Sequence, residues 1–213
     1  YGYTNLPIID FRDWKVGTSM KIDPNEEDKF YVIYKNKETG EIKEYLSPNF
    51  PWNDTAWVAT WEYIDQRIEP APLPDNYIFI NDKNGENYSR MLTQNPNFQF
   101  LLVMYDIETS KLKDKSNIEK VKLFAKKSFD QGIDFAAIVA NSPEVASQFI
   151  EDNDINFEIY FSDDITLKTV VRANPGLVLI KDATILAKWH FNNFPELEKI
   201  EFQELENKYL INN

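Results

Sequence analysis

The chain has 213 residues, of which 43% are hydrophobic and 15% aromatic, so it can bury a core and global disorder is not expected. A formal net charge of −12 opposes binding to a phosphate backbone or to an anionic membrane surface, so nucleic acid is not an expected partner. The absence of cysteine excludes disulfides, thiolate metal sites and cysteine nucleophiles, but it assigns no compartment.

The apolar runs are of strand length. Residues 135–140 and 176–180 are examples, and both fall far short of the roughly 20 apolar residues of a membrane-spanning helix. The chain begins at Tyr1 without a methionine, a basic stretch or a hydrophobic signal core. We therefore expect a processed product or the excised soluble part of something longer.

Residues 1–70 have β character. Residues 30–34 and 41–46 are rich in β-branched and aromatic side chains, and residues 36–40 between them supply turn chemistry, which predicts a hairpin. The alternation over residues 57–64 predicts a third strand. Together these segments predict a small antiparallel sheet.

A proline-rich connector follows. Residues 69–74 contain three prolines, which favour an extended linker poor in hydrogen-bond donors. We place a domain boundary there. The predicted organisation is a β-rich N-terminal extension over residues 1–70 and a second domain over residues 71–213.

The second domain alternates strand and helix patterns. A hairpin is predicted over residues 77–88, and a helix is predicted from an N-cap at Ser116 to a stop at Gly132. The other predicted strands are 98–105, 135–140, 156–160, 177–180 and 185–189, and the other predicted helices begin near Asn141 and cover 162–171 and 195–209. This order predicts an α/β fold, with a mixed central sheet covered by helices on both faces.

The order of elements resembles the thioredoxin-like fold. Asn174-Pro175-Gly176, just before the last hairpin, resembles the family's cis-proline segment, so the resemblance implies a cis Asn174–Pro175 bond. The hairpin over residues 77–88 resembles the peroxiredoxin-like branch. A redox-active relative would carry Cys-x-x-Cys after the first core strand, whereas residues 106–113 hold only carboxylates, hydroxyls and lysines besides apolar residues. Thiol–disulfide chemistry is therefore excluded.

A narrower resemblance starts at Leu6. Residues 6–17, followed by a β-rich stretch and a thioredoxin-like domain, resemble the soluble part of DoxX-type small membrane proteins. The resemblance implies that a membrane segment precedes Tyr1 and that the domain lies at the periplasmic face of a bacterial inner membrane. A cytoplasmic location is the alternative.

The candidate binding surface lies after the first core strand, at an edge where open α/β sheets commonly bind ligands. It consists of seven residues: Asp106, Glu108, Thr109, Ser110, Lys111, Asn174 and Pro175. No base and nucleophile are oriented there, so we predict no catalytic residue, no cofactor and a protein or peptide partner. The predicted function is a non-catalytic interaction or accessory module, and an enzyme with a non-thiol site is an alternative.

Two further patterns favour structural roles. Asp152, Asp154 and Asp163 have the spacing of calcium ligands, but Phe157 stands where the loop needs glycine, so a solvated loop is favoured over a metal site. The single histidine, His190, has no cysteine or second histidine to help bind a transition metal. A structural role is predicted for it.

Tryptophans are concentrated in the N-terminal part. Trp14, Trp52, Trp57 and Trp61 could stack on sugars, which makes a carbohydrate-binding module a further alternative. A small sheet needs aromatic side chains to fill its core, so packing is the favoured interpretation.

Overall fold

The computed structural model describes residue 6 and residues 13–23, 25–51 and 53–211. The chain divides into two compact units, Ile22–Pro74 and a larger unit formed by Tyr1–Lys21 with Asp75–Asn213. This division differs from the predicted one because Trp14 and Met20 are buried in a core of the larger unit. Within the described ranges, no helix is long and apolar enough to cross a bilayer.

The smaller unit contains a three-stranded antiparallel sheet in the order β2-β1-β3. Its elements are β1 (Lys29–Asn36), β2 (Ile42–Leu46), the helix α1 (Thr55–Thr60) and β3 (Trp61–Glu69). The predicted hairpin of β1 and β2 is confirmed. Asn36 holds its turn, because its Oδ1 accepts hydrogen bonds from the backbone N–H groups of Glu38 and Thr39, each at 2.9 Å.

The predicted strand over residues 57–64 is wrong in its first half, where α1 occupies residues up to Thr60. Asp54 starts this helix because its Oδ1 accepts hydrogen bonds from the N–H groups of Ala56 at 2.9 Å and Trp57 at 3.1 Å. The Thr60 hydroxyl donates back to the Ala56 carbonyl at 2.9 Å. Local capping therefore outweighs the β preference of the aromatic side chains.

The larger unit contains a five-stranded mixed sheet in the order β6-β5-β4-β7-β8. Its strands are β4 (Gln99–Met104), β5 (Asp134–Val139), β6 (Glu158–Phe161), β7 (Gly176–Lys181) and β8 (Thr184–His190). Strands β4, β5 and β6 are parallel, and β7 is antiparallel to both of its neighbours. The predicted mixed α/β fold is confirmed.

Helices precede, connect and follow these strands. They are α2 (Ser89–Thr93), α3 (Lys115–Asp130), α4 (Pro143–Asn153), α5 (Asp164–Val170) and α6 (Phe202–Glu206), with 3-10 turns at Lys111–Lys113, Phe191–Asn193 and Leu197–Lys199. The predicted N-cap Ser116 is wrong. Asp114 caps α3, because its Oδ1 accepts a hydrogen bond from the Ser116 N–H at 2.9 Å.

Strand β4 separates two apolar cores. Phe100 and Leu102 belong to a cluster on the side of α3, while Leu101 and Val103 belong to a cluster on the side of α5. All four side chains are fully buried. The alternation follows from the period of two along a strand, and helices on both faces exclude water from both sides of the sheet.

The β4-α3-β5 unit followed by the β7-β8 hairpin is the thioredoxin-like arrangement. The Asn174–Pro175 bond before β7 is cis, as predicted. The predicted hairpin over residues 77–88 is reduced to an isolated bridge between Asn81 and Asn87. A hydrogen bond of 2.8 Å from the Tyr88 N–H to the Ile80 carbonyl follows it.

The predicted helix over residues 195–209 is interrupted. The 3-10 turn Leu197–Lys199 is followed by α6 and by a π-helical turn at Asn207–Ile211. Ile200 and Phe202 both pack against the core cluster on the side of α3. In a continuous helix, side chains two positions apart point in directions that differ by about 200°, so Ile200 and Phe202 could not both face the core. The backbone is extended at Ile200, which lets both side chains reach it.

Candidate functional site

Asp106 organises the loop that follows β4. Its Oδ1 accepts a hydrogen bond from the Glu108 N–H at 3.0 Å, and its Oδ2 accepts one from the Thr109 hydroxyl at 2.6 Å. The Thr109 hydroxyl, the Asn141 amide and backbone N–H groups hold the pKa of Asp106 below its ordinary value, although partial burial opposes them. Asp106 is therefore a carboxylate at neutral pH.

Asn141 ties this loop to the neighbouring strand. It follows β5, and its Oδ1 accepts a hydrogen bond of 2.8 Å from the Ile107 N–H. Its Nδ2 lies 3.4 Å from Asp106 Oδ1. From the sequence, Asn141 is expected only at the start of a helix. Its position at the carboxyl end of a strand parallel to β4 was the signal that could have placed it in the site.

Asn174 brings in the segment before β7. Its Nδ2 donates to the main-chain oxygen of Asp106 at 2.7 Å and lies 3.3 Å from Thr109 Oγ1. The Lys111 N–H donates to the Asn174 carbonyl at 3.1 Å. The loop after β4 and the segment before β7, which are predicted to form one surface, are therefore in direct contact.

Two of the seven predicted site residues are buried. Ser110 has no exposed surface, and its Oγ donates to the Ile107 carbonyl at 2.9 Å and accepts from the Leu112 N–H at 3.1 Å. Pro175 is buried as well. A partner cannot touch either side chain, so these two residues are removed from the predicted binding surface and five remain. We call Asp106, Glu108, Thr109, Lys111 and Asn174 the carboxyl-edge surface.

The chemistry of this surface is limited. The Thr109 hydroxyl donates to a carboxylate, which is the geometry of a base beside a nucleophile. A carboxylate with a lowered pKa is a weak base at neutral pH, so Asp106 is poorly suited to activate the hydroxyl. The Ser110 hydroxyl is occupied by the Ile107 carbonyl.

The other candidate residues have structural roles. His190 precedes the turn Phe191–Asn193, and its Nδ1 accepts a hydrogen bond from the Asn192 N–H at 3.0 Å. Asp163 caps α5 through the Thr166 N–H at 2.8 Å, and Asp152 accepts a hydrogen bond from Gln148 at 2.8 Å. In the described ranges, no cluster of three or more acidic, histidine or cysteine side chains could hold a metal ion.

The tryptophans that can be placed are packing residues. Trp57 and Trp61 stack with ring centroids 6.0 Å apart, and Tyr34 meets Trp57 edge-on at 4.7 Å. Trp14 is 2% exposed within the larger unit. The rings are directed at one another rather than at solvent, which favours packing over sugar stacking. Trp52 lies outside the described residues.

No family model and no curated protein matches the sequence. Similar solved structures include a thiol-disulfide oxidoreductase from Bacteroides fragilis, 14% identical over 61% of this chain and 96% of that one, with a TM-score of 0.45. Yeast Sco1 is 12% identical over 62% of this chain and 95% of its own, with a TM-score of 0.43. The exposed lipoprotein thioredoxin of Streptococcus pneumoniae is 14% identical over 61% and 97%, with a TM-score of 0.41. Activity does not transfer at these values, and the fold assignment rests on the strand order given above.

Proposed function

We propose that this chain is a non-catalytic interaction module that binds a protein or peptide through the carboxyl-edge surface. The observation that carries the proposal is the hydrogen-bonded junction of Asp106, Thr109 and Asn174, which fixes the loop after β4 against the cis-proline segment. A preorganised loop loses little conformational entropy on binding, so such a junction favours recognition.

The accessible side chains suit recognition. Glu108, Thr109 and Lys111 are exposed and offer an acidic, a hydroxyl and a basic group within four consecutive residues. Loops carried on a rigid sheet edge are common recognition sites. Without a thiol, these 213 residues cannot perform the exchange for which related folds use this position.

We also propose that a membrane segment precedes Tyr1 and holds the module at the periplasmic face of a bacterial inner membrane. The support is the resemblance of residues 6–17, and of the element order after them, to the soluble part of DoxX-type proteins. Residues 7–12 of that motif lie outside the described residues. The likeness of residues 77–88 to the peroxiredoxin-like branch belongs to the same proposal.

The membrane proposal is tested on the full gene product. Intact spheroplasts would be treated with protease, and the fragment carrying these 213 residues would be followed by immunoblot. Degradation without lysis supports a periplasmic position. Protection until lysis supports the cytoplasmic alternative and overturns the proposal.

The binding proposal is tested by photo-crosslinking in the same cells. A benzophenone amino acid would replace Glu108 in one variant and Glu62, an exposed residue of β3, in a matched control. We expect a discrete protein adduct from position 108 that is absent from position 62. Identical adduct patterns at the two positions would overturn the assignment of the surface.

A further inference from the structure

The outer edge of β6 is partly unpaired. The backbone N–H and C=O of Phe161 both bond to Asn81, at 2.8 and 2.9 Å, whereas the Ser162 N–H donates inward to Val139 on β5 at 3.0 Å. Backbone groups alternate in direction along a strand, so those of Ile159 point outward like those of Phe161. In the part of the chain that the structure describes, Ile159 makes no backbone hydrogen bond on that side.

The segment around Asn81 pairs with this edge through a single bridge and then leaves it. If the chain continued beyond Asn81 as a strand antiparallel to β6, the residue two positions after Asn81 would lie opposite Ile159. It turns away instead, because the Asp82 carboxylate accepts hydrogen bonds from the N–H groups of Asn84 at 2.8 Å and Glu86 at 2.9 Å. Gly85 completes the turn with a φ of 87°. Among the described residues, none pairs with the outward backbone groups of Ile159.

A groove with a volume of about 500 Å³ follows the open edge. Ile155 lines it and packs with the core cluster on one side of the sheet, while Tyr88 and Tyr160 line it and pack with the cluster on the other side. Phe129 and Ile150 in the same groove are 44% and 36% exposed. A strand added at the edge would find an apolar wall on each face for its alternating side chains.

The charges around the groove favour one kind of occupant. Two carboxylates, Asp82 and Glu158, line it against one ammonium group, Lys83. Burial raises the pKa of Tyr160, and the nearby charges of Glu158 and Asp82 add to the shift. A second copy would bring another Glu158 and another net charge of −12 to the edge, which opposes self-association.

We propose that the open edge of β6 binds an extended segment of another protein that carries lysine or arginine and adds as an antiparallel strand beside Ile159. The backbone groups of Ile159 bond to the added strand, its apolar side chains pack on the two walls, and its basic side chain pairs with Glu158. This surface is separate from the carboxyl-edge surface and does not depend on the function proposed for it.

The test uses a blocked peptide of alternating valine and lysine, and a matched peptide with glutamate for lysine. We expect the lysine peptide to shift the backbone amide resonances of 158–161 in the isotope-labelled protein and to slow exchange of the Ile159 amide. The glutamate peptide should bind at least about tenfold more weakly, because its charges meet Asp82 and Glu158. No shift with the lysine peptide at millimolar concentration overturns the proposal.

Variants assign the effect to the edge. Glu158→Lys should abolish or invert the preference for lysine over glutamate, and Ile159→Pro, which removes the outward N–H, should abolish binding. Glu62→Lys makes the same charge change at an exposed residue of β3, outside both proposed surfaces, and should leave peptide binding unchanged. If Ile159→Pro does not fold, Glu158→Lys decides. An unchanged preference in Glu158→Lys, or dimerisation of the wild-type protein through β6, overturns the proposal.

Discussion

The side-chain amide of Asn174 donates a 2.7 Å hydrogen bond to the main-chain oxygen of Asp106, which joins two segments 68 residues apart in sequence. The return bond from the Lys111 N–H to the Asn174 carbonyl makes the connection two-sided. The loop after β4 is therefore fixed by the segment before β7. A change on either side of this junction should disturb the other.

Replacing Thr109 with valine tests the junction without changing side-chain shape. The hydroxyl that donates to Asp106 is lost, so the pKa of Asp106 should rise toward its ordinary value. We expect the free energy of unfolding to fall by up to about 1 kcal/mol. The pKa is measured by NMR of the Asp106 carboxyl carbon, and stability is measured by urea unfolding.

The pH dependence of this effect has a definite sign. Because the folded pKa of Asp106 lies below the unfolded value of about 3.9, its ionisation stabilises the protein above that value, and the contribution is lost as pH falls through the folded pKa. The difference between wild type and Thr109→Val should therefore be largest near neutral pH and shrink in acid. Thr55→Val, at an exposed helix start, is the control and should show no such trend.

Gly176, the first residue of β7, leaves no room for a side chain. A Cβ there would lie 2.5 Å from Val171 Cγ2 and 2.6 Å from Cγ1. We expect Gly176→Ala to lower the free energy of unfolding by about 1–3 kcal/mol through overpacking. Calorimetry of Gly176→Ala, Val171→Ala and the double variant checks this, since shortening Val171 should recover part of the loss. Strictly additive single effects would contradict the steric explanation.

Asp114 and Ser116 offer a direct comparison of helix caps. Asp114→Ala removes the side-chain acceptor for the Ser116 N–H at the start of α3 and should lower the melting temperature by a few degrees. Ser116→Ala removes only a hydroxyl that donates to the same carboxylate, so its effect should be smaller. The ranking is read from thermal unfolding followed by circular dichroism. A larger loss in Ser116→Ala would restore Ser116 as the cap.

Sequence patterns were sufficient where local and long-range preferences agree. The β4-α3-β5 unit has strand and helix periods that match its burial. The segment before the last hairpin contains Asn174-Pro175-Gly176, which predicts the cis-proline bond. They were insufficient where a capping residue competed with strand propensity, as Asp54 does before Trp57. The burial of Ser110 could not be predicted, because its hydroxyl bonds to the backbone of Ile107 and Leu112, and this segment has no hydrophobic periodicity.

Recognition through the carboxyl-edge surface is tested by exchanging two of its charges. The double variant Glu108→Lys with Lys111→Glu keeps the net charge and alters two exposed side chains. Its control exchanges Glu62→Lys with Lys35→Glu, a facing exposed pair on β3 and β1.

The measurement is the affinity of each variant for the partner that crosslinks at position 108, determined by titration calorimetry. We expect the carboxyl-edge exchange to weaken binding about tenfold or more with the melting temperature nearly unchanged, while the control binds like wild type. Equal affinity of the carboxyl-edge variant and wild type, or loss of binding in the control alone, would contradict it.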